Sequence, residues 1–261
     1  MKATKILLIL LISALLQACV TSASHRDGPP PRPVNLSQVK EPVPKYEPKS
    51  RYGNPKSYVA LGRRYFVLNS AEGYDKRGIA SWYGSKFHGQ LTSSREPYSM
   101  YAMTAASPDL PIPSYVRVTN LENGRSAIVR VNDRGPFAAN RIIDLSYAAA
   151  AKLGYAKNGT ALVEVRAINM RNPNATPPTV LTARPQLYLQ VGAFAEYTHA
   201  NHLRRELSRY TTKPIRITRN DSGKRTIYRV QIGPLIGVGE SDSLFNKLNK
   251  HGLNTAMTVI G

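Results

Sequence analysis

Residues 115–153 decide the fold. Tyr115-Val116-Arg117-Val118-Thr119 alternates polar and apolar, Glu122-Asn123-Gly124 turns, and Ala127-Ile128-Val129-Arg130-Val131 alternates back. An Asn-Gly pair between two alternating runs is a strong hairpin signal, because the tight turn favours left-handed backbone there. Arg134-Gly135-Pro136 stops the return strand. Ile142-Ile143-Asp144-Leu145 reads as another short strand, and Ser146 then caps an alanine-rich helix, Tyr147 to Leu153, closed by Gly154. Outward from this centre, Ile79-Ala80-Ser81-Trp82-Tyr83 and Ala161 to Ile168 add strands. Many short strands around one helix predict a compact β-barrel over residues 78–170.

A second pattern follows a Pro- and Thr-rich linker at 171–185. Tyr188-Leu189-Gln190-Val191-Gly192 recurs as Arg229-Val230-Gln231-Ile232-Gly233, so Gln190 matches Gln231. Each of these strands precedes a helical stretch (195–210 and 239–251) and then another strand (214–219 and 256–260). Two such halves predict a small α+β, ferredoxin-like domain over 186–261. Before the barrel, 19–77 is rich in Pro, Ser and Lys and reads as an extended, disordered tether. Within it, Arg64 to Leu68 forms part of a possible short hairpin.

The chain has 261 residues with 36 Lys and Arg against 16 Asp and Glu, a net charge of +20. That charge points to an anionic partner. It is carried mostly by the N-terminal 77 residues (13 basic, 5 acidic) and by 184–261 (12 basic, 5 acidic). One cysteine excludes an intramolecular disulfide framework and a cysteine-based zinc site. Residues 1–18 read as a secretory leader: Lys2 and Lys5, then the apolar run Ile6 to Leu16, too short to span a bilayer. Leu16-Gln17-Ala18-Cys19 resembles the lipobox of bacterial lipoproteins. The resemblance implies acylation of Cys19, and Val20 in place of Asp implies an outer-membrane destination, facing the periplasm. An exported chain without a nucleic-acid motif is not expected to bind nucleic acid.

The barrel segment resembles the rare lipoprotein A family through Gly78 to Gly84, Phe87-His88-Gly89, Thr92-Ser93, Tyr101 to Ala106, Val131 to Phe137 and Arg141 to Ser146. Tyr188 to Phe194 looks like the start of a SPOR domain. The resemblance implies a six-stranded double-psi β-barrel and a lytic transglycosylase. Such an enzyme cleaves the MurNAc–GlcNAc bond of peptidoglycan and closes a 1,6-anhydro ring. It also implies SPOR binding to glycan strands stripped of stem peptides at the division septum. No phosphate loop or metal-ligand cluster is present, so no cofactor or metal is expected.

Six acids lie in 78–170. Glu122 and Asp109 read as solvated, Glu164 as an outward strand residue, and Asp144 as an aid to the helix start. Asp133 ends a strand beside Arg134 and Glu96 sits in a polar loop. From the residues alone Asp133 reads equally as a turn aspartate, and Glu96 reads more readily as an ordinary loop carboxylate. The family motif makes them the catalytic pair. The family's usual histidine is replaced by Ser107, which leaves open a weak enzyme that acts as a glycan-binding lipoprotein linking outer membrane to wall. His88, the barrel's one histidine, is a possible supporting group. Tyr98 and Tyr101 are candidates for sugar stacking, and Gln190 and Gln231 for glycan contact. Trp82 reads as barrel core.

Overall fold

A computed structural model describes residues 27–31, 35–172, 185–222 and 225–260. The leader, Cys19 and most of the linker lie outside the described residues. A hairpin of β1 (Ser57–Ala60) and β2 (Arg63–Phe66) precedes a closed barrel. The barrel is built from β3 (Asp75–Tyr83), β4 (Thr104–Ala106), β5 (Ser114–Asn120), β6 (Ser126–Asp133), β7 (Ile143–Ser146) and β8 (Ala161–Ala167). Its closed order is β3-β7-β4-β6-β5-β8. The pairs β3/β7 and β4/β6 are parallel, and the others are antiparallel. The expected six-stranded barrel is therefore present, and the sequence reading missed only β4.

Alternation explains the closure. Val116, Val118, Val129, Val131, Leu145, Val163 and Val165 fill one interior cluster. Each buried side chain of this size contributes about 1.5–3 kcal/mol. The predicted hairpin joins β5 to β6, and Gly124 at φ 74° takes the left-handed turn position. Helix α1 (Tyr147–Lys152) starts where expected: the Ser146 hydroxyl accepts from the Ala149 amide.

The second domain runs β9 (Leu187–Phe194), α2 (Tyr197–Leu207), β10 (Ile215–Ser222), β11 (Arg225–Leu235), α3 (Gly237–Lys250) and β12 (Met257–Ile260). Its sheet order, β10-β11-β9-β12, places the two repeated strands side by side. This is the split βαβ arrangement read from the repeat. The domain rests on the barrel. Ile79, Leu121 and Leu162 join its apolar cluster, and Arg141 makes a two-pronged ion pair with Asp242.

The Pro-rich segment departs from the expected disordered tether. Its described part from 35 to 74 is mostly extended but docked on the barrel. Glu41 accepts from the Ile128 amide, Glu47 pairs with Arg130, and Asn54 bonds Ile112 and Arg134. Composition counted acids there but could not show that Glu41 meets Lys152 and Glu47 meets Arg130.

Candidate active site

The site is built on the outer face of the barrel. Cross-strand register aligns Ser81 on β3 with Asp144 on β7, Asp144 with Ala106 on β4, and Ala106 with Asp133 on β6. Registered neighbours share a sheet face, and adjacent strands lie about 4.8 Å apart. Two carboxylates thus stand roughly 10 Å apart along the row, with only an alanine methyl between them. Ala80, Ala105 and Leu145, chain neighbours of three of these residues, point into the barrel core. A bulge sets the row's end: Ala105 pairs with Val131, but Ala106 pairs with Asp133, leaving Asn132 as the extra residue. Bulges re-aim side chains in this way.

The turn from Thr92 to Glu96 holds both predicted acids. Asp133 Oδ1 accepts from the Ser93 amide (2.8 Å), the Ser93 hydroxyl (2.7 Å) and the Arg134 amide (2.7 Å). All three bonds fall on one oxygen, and Oδ2 has no partner among the described residues. Glu96 accepts twice from Arg130 Nη1 (3.0 and 2.7 Å) and once from Asn132 Nδ2 (2.9 Å). Arg130 also reaches Glu47 through Nε and Nη2. Partial burial works against the charge on Glu96. The bonds from Arg130 and Asn132 outweigh it and hold the carboxyl below its ordinary range. Asn132 Oδ1, by contrast, is a buried acceptor with no partner among the described residues.

Asp144 is the acid that sequence reading set aside, and the structure corrects that assignment. It does not cap α1; Ser146 does. It accepts instead from the Ser81 hydroxyl. Burial pushes its pKa up to about 6. The charges of Asp27 and Asp133 add to this, while the Ser81 bond and Arg141 oppose it. A carboxyl that titrates near neutral pH can both give and take a proton under working conditions.

The other expected site residues divide. Tyr98 is only 2% exposed; it stacks on Tyr83 at 4.0 Å between centroids, and its hydroxyl donates to the Tyr83 carbonyl. It packs in a small buried cluster with Tyr83, Met100 and Ala106 and offers no open ring face to a sugar. Tyr101 is 41% exposed and stands edge-on to His88 at 5.3 Å. His88 is itself exposed, and its Nδ1 accepts weakly from the Met100 amide (3.4 Å). The described hydrogen bonds join His88 to none of the three acids.

Ser107 does not enter the cleft. It is 0% exposed, and its hydroxyl donates to Asp109 while accepting from the Leu110 amide. Because Ala106 faces outward, its neighbour must face away. Asp109 and Glu164 also differ from expectation. Asp109 pairs with Lys76, and Glu164 is buried between Arg77 and Arg166. Trp82 packs against the barrel core as expected.

In the second domain, Gln190 and Gln231 are direct cross-strand partners. Arg216 Nε donates to Gln231 Oε1 (2.9 Å), and its guanidinium lies 3.4 Å from the Tyr188 ring centroid. Gln190 Oε1 is buried and has no partner among the described residues. Also among the described residues, no group of three or more His, Cys, Asp or Glu could hold a metal ion.

Known proteins share this domain order. Residues 75–165 match the family model described as "Lytic transglycolase", and 183–257 match the SPOR domain. The endolytic peptidoglycan transglycosylase RlpA of Vibrio cholerae is 38% identical over 97% of this chain and 95% of that protein. The RlpA of Pseudomonas aeruginosa (strain UCBPP-PA14) is 40% identical over 85% of this chain and 80% of its own. The crystal structure of the RlpA SPOR domain from Pseudomonas aeruginosa is 32% identical, with TM-score 0.27. That match covers 96% of the solved chain and 28% of this one.

A double-psi barrel that matches the lytic transglycosylase model, followed by a SPOR domain, defines a lyase of peptidoglycan. The chain belongs to the RlpA family of endolytic peptidoglycan transglycosylases.

Proposed function

We propose that the enzyme cuts glycan strands freed of stem peptides and leaves 1,6-anhydro-MurNAc ends, with Asp144 moving the proton and Asp133 and Glu96 carrying the opposing charge. The observation that supports this reading is the Ser81–Asp144–Ala106–Asp133 row, whose acids sit in different electrostatic settings. Burial raises Asp144 while Arg130 and Asn132 hold Glu96 down, and carboxyls pushed apart in this way suit divided acid and charge roles.

The chemistry runs in two turns. Protonated Asp144 gives its proton to the glycosidic oxygen as the bond to the muramyl C1 breaks. Positive charge spreads over C1 and the ring oxygen, and Asp133 and Glu96 stabilise it. The muramyl C6 hydroxyl lies on the ring face that the leaving oxygen has vacated. It closes on C1, and its proton passes to the Asp144 carboxylate, which is thereby reset. No water is consumed. Ala106 packs against Tyr83, Tyr98 and Met100, and exposed Tyr101 offers a stacking face. The alternative of a purely binding lipoprotein rested on Ser107. That argument weakens once its hydroxyl is seen to turn toward Asp109.

Anchoring and address belong to the same reading. Cys19 is acylated and holds the enzyme in the outer membrane, facing the periplasm. The SPOR sheet brings it to the septum through Gln190, Gln231 and Arg216. Purified enzyme should release fragments from peptide-free strands and leave fully peptide-bearing strands intact; equal release from both would sink the specificity. Fractionation of Cys19→Ser should find it lost from the outer membrane, and a fluorescent full-length chain should mark septa. Retention of the variant, or uniform staining, would remove those parts.

A further inference from the structure

Residues 27–31 reach the barrel at the end of β3. Asp27 there does what a bound anion does. Its Oδ1 accepts from the amides of Gly84 (3.0 Å) and Lys86 (3.1 Å), and from its own neighbour Gly28 (3.1 Å); its Oδ2 also accepts from Gly84 (3.1 Å). The Ser85 amide donates to the Gly28 carbonyl (2.9 Å). The Gly84 and Lys86 amides converge on one carboxylate while the Ser85 amide between them takes a carbonyl, so the turn forms a nest-like concavity that binds an anion through backbone dipoles. Gly84 is required for the approach: a Cβ there would collide with the Gly28 carbonyl and the Trp82 ring.

The nest lies beside the catalytic row. Ser81 in the row lies near the end of β3 and Gly84 directly follows its last residue, three residues on, about 10 Å away. The stacked pair Tyr83 and Tyr98 forms the wall between them. The charge of Asp27 bears on both Asp144 and Tyr98. Asp27 makes no ion pair with a basic side chain in the described residues, so the amides alone hold its charge.

The geometry points to the Gly84–Lys86 nest as the subsite for the free lactyl carboxylate of the muramyl residue, with Asp27 as its intramolecular stand-in. This rests on the proposed action at peptide-free strands. Removing a stem peptide converts the lactyl amide into a carboxylate, and that anion is the chemical difference such strands present. A peptide-bearing strand offers an amide, which carries no charge and extends into the nest's wall. Asp27 competes for the same donors until a carboxylate-bearing strand displaces residues 27–31.

The test uses the full chain in detergent, labelled with ¹⁵N-glycine and ¹⁵N-lysine, as wild type and Asp27→Ala. The probe is the methyl glycoside of N-acetylmuramic acid, compared with its lactyl methylamide. In Asp27→Ala, the Gly84 and Lys86 amide resonances should shift saturably with the acid and not with the methylamide. In the wild type, half-saturation should need about tenfold more acid, because the competent state is only fractionally populated. Unmoved amides, equal shifts with acid and methylamide, or equal affinity in both proteins would overturn the proposal. Cleavage of peptide-free strands by the same wild-type sample keeps the two readings apart. Cleavage without carboxylate-selective shifts removes the subsite alone; selective shifts without cleavage remove the proposed reaction alone.

Discussion

Asp144→Asn separates catalysis from folding, because the same burial that suits Asp144 to proton transfer makes its charge costly. The folded pKa of about 6 lies above the reference 3.8. For a carboxyl raised in this way, the fold prefers the neutral form. The native state is therefore penalised as pH rises from about 4 through 6, and the penalty is complete above that. At 1.36 kcal/mol per unit, a shift of about two units sets a ceiling near ~3 kcal/mol. Halving it for residual solvent screening leaves about 1.5 kcal/mol, or roughly 3–6 °C in Tm for a chain of this size. Asparagine keeps an oxygen for the Ser81 hydroxyl and carries no charge. The variant should melt several degrees higher than wild type at pH 7.5 and equal to it near pH 4, while cleavage falls by ~10²–10⁴-fold. Calorimetry across that pH range and a product assay read the two effects. A variant that is less stable at pH 7.5, or whose advantage does not vanish with acid, refutes the electrostatic reasoning. Undiminished cleavage refutes the catalytic role.

Glu96→Gln removes a charge held by Arg130 and Asn132, and should cut turnover by ~10²-fold or more. Its side chain is 42% exposed, so the melting temperature should change little; product release and melting curves check both. Glu47→Gln should destabilise the barrel by about 1–2 kcal/mol at pH 7. The Arg130 hydrogen bond holds the Glu47 carboxyl below its ordinary range, so this difference should fade in acid; urea titrations at pH 7 and 3.5 decide it. Ser107→His forces an imidazole into a sealed position, and should lower stability by about 1–3 kcal/mol without raising activity. A gain in turnover would show that the Ala106–Ser107 backbone can turn the side chain into the cleft.

Alternation carried most of the fold. β3, β5, β6, β7 and β8 each show a polar/apolar period or an apolar run bounded by turn residues, and the glutamine-marked repeat placed β9 and β11 together. β4 did not show itself, because three residues cannot display a period and Thr104-Ala105-Ala106 carries no β-branched run. The docking of 35–74 was hidden for a related reason: it depends on Glu41, Glu47 and Asn54 meeting groups far along the chain. In the site, Glu96 and Asp133 were singled out through their motif. Asp144 was missed because its distinction is the surface it shares with Ser81, Ala106 and Asp133 on three other strands. One local signal existed, since Ala106 and Asp144 both stand one residue out of phase with the buried Ala105 and Leu145. The same phase places Ser107 away from the cleft. Tyr98 looked exposed in a polar loop, and only its stack on Tyr83 reveals it as buried.

The central claim is that the muramyl hydroxyl, not water, completes the cleavage at a carboxylate row. Digestion of peptide-free glycan in ¹⁸O-water, with mass analysis of the new ends, tests it directly. The account predicts ends one water lighter than reducing sugars, free of ¹⁸O, from wild type, and their near-disappearance in both Asp133→Asn and Asp144→Asn. Reducing ends labelled with ¹⁸O, or unlabelled anhydro ends formed at full rate by both variants, would contradict it.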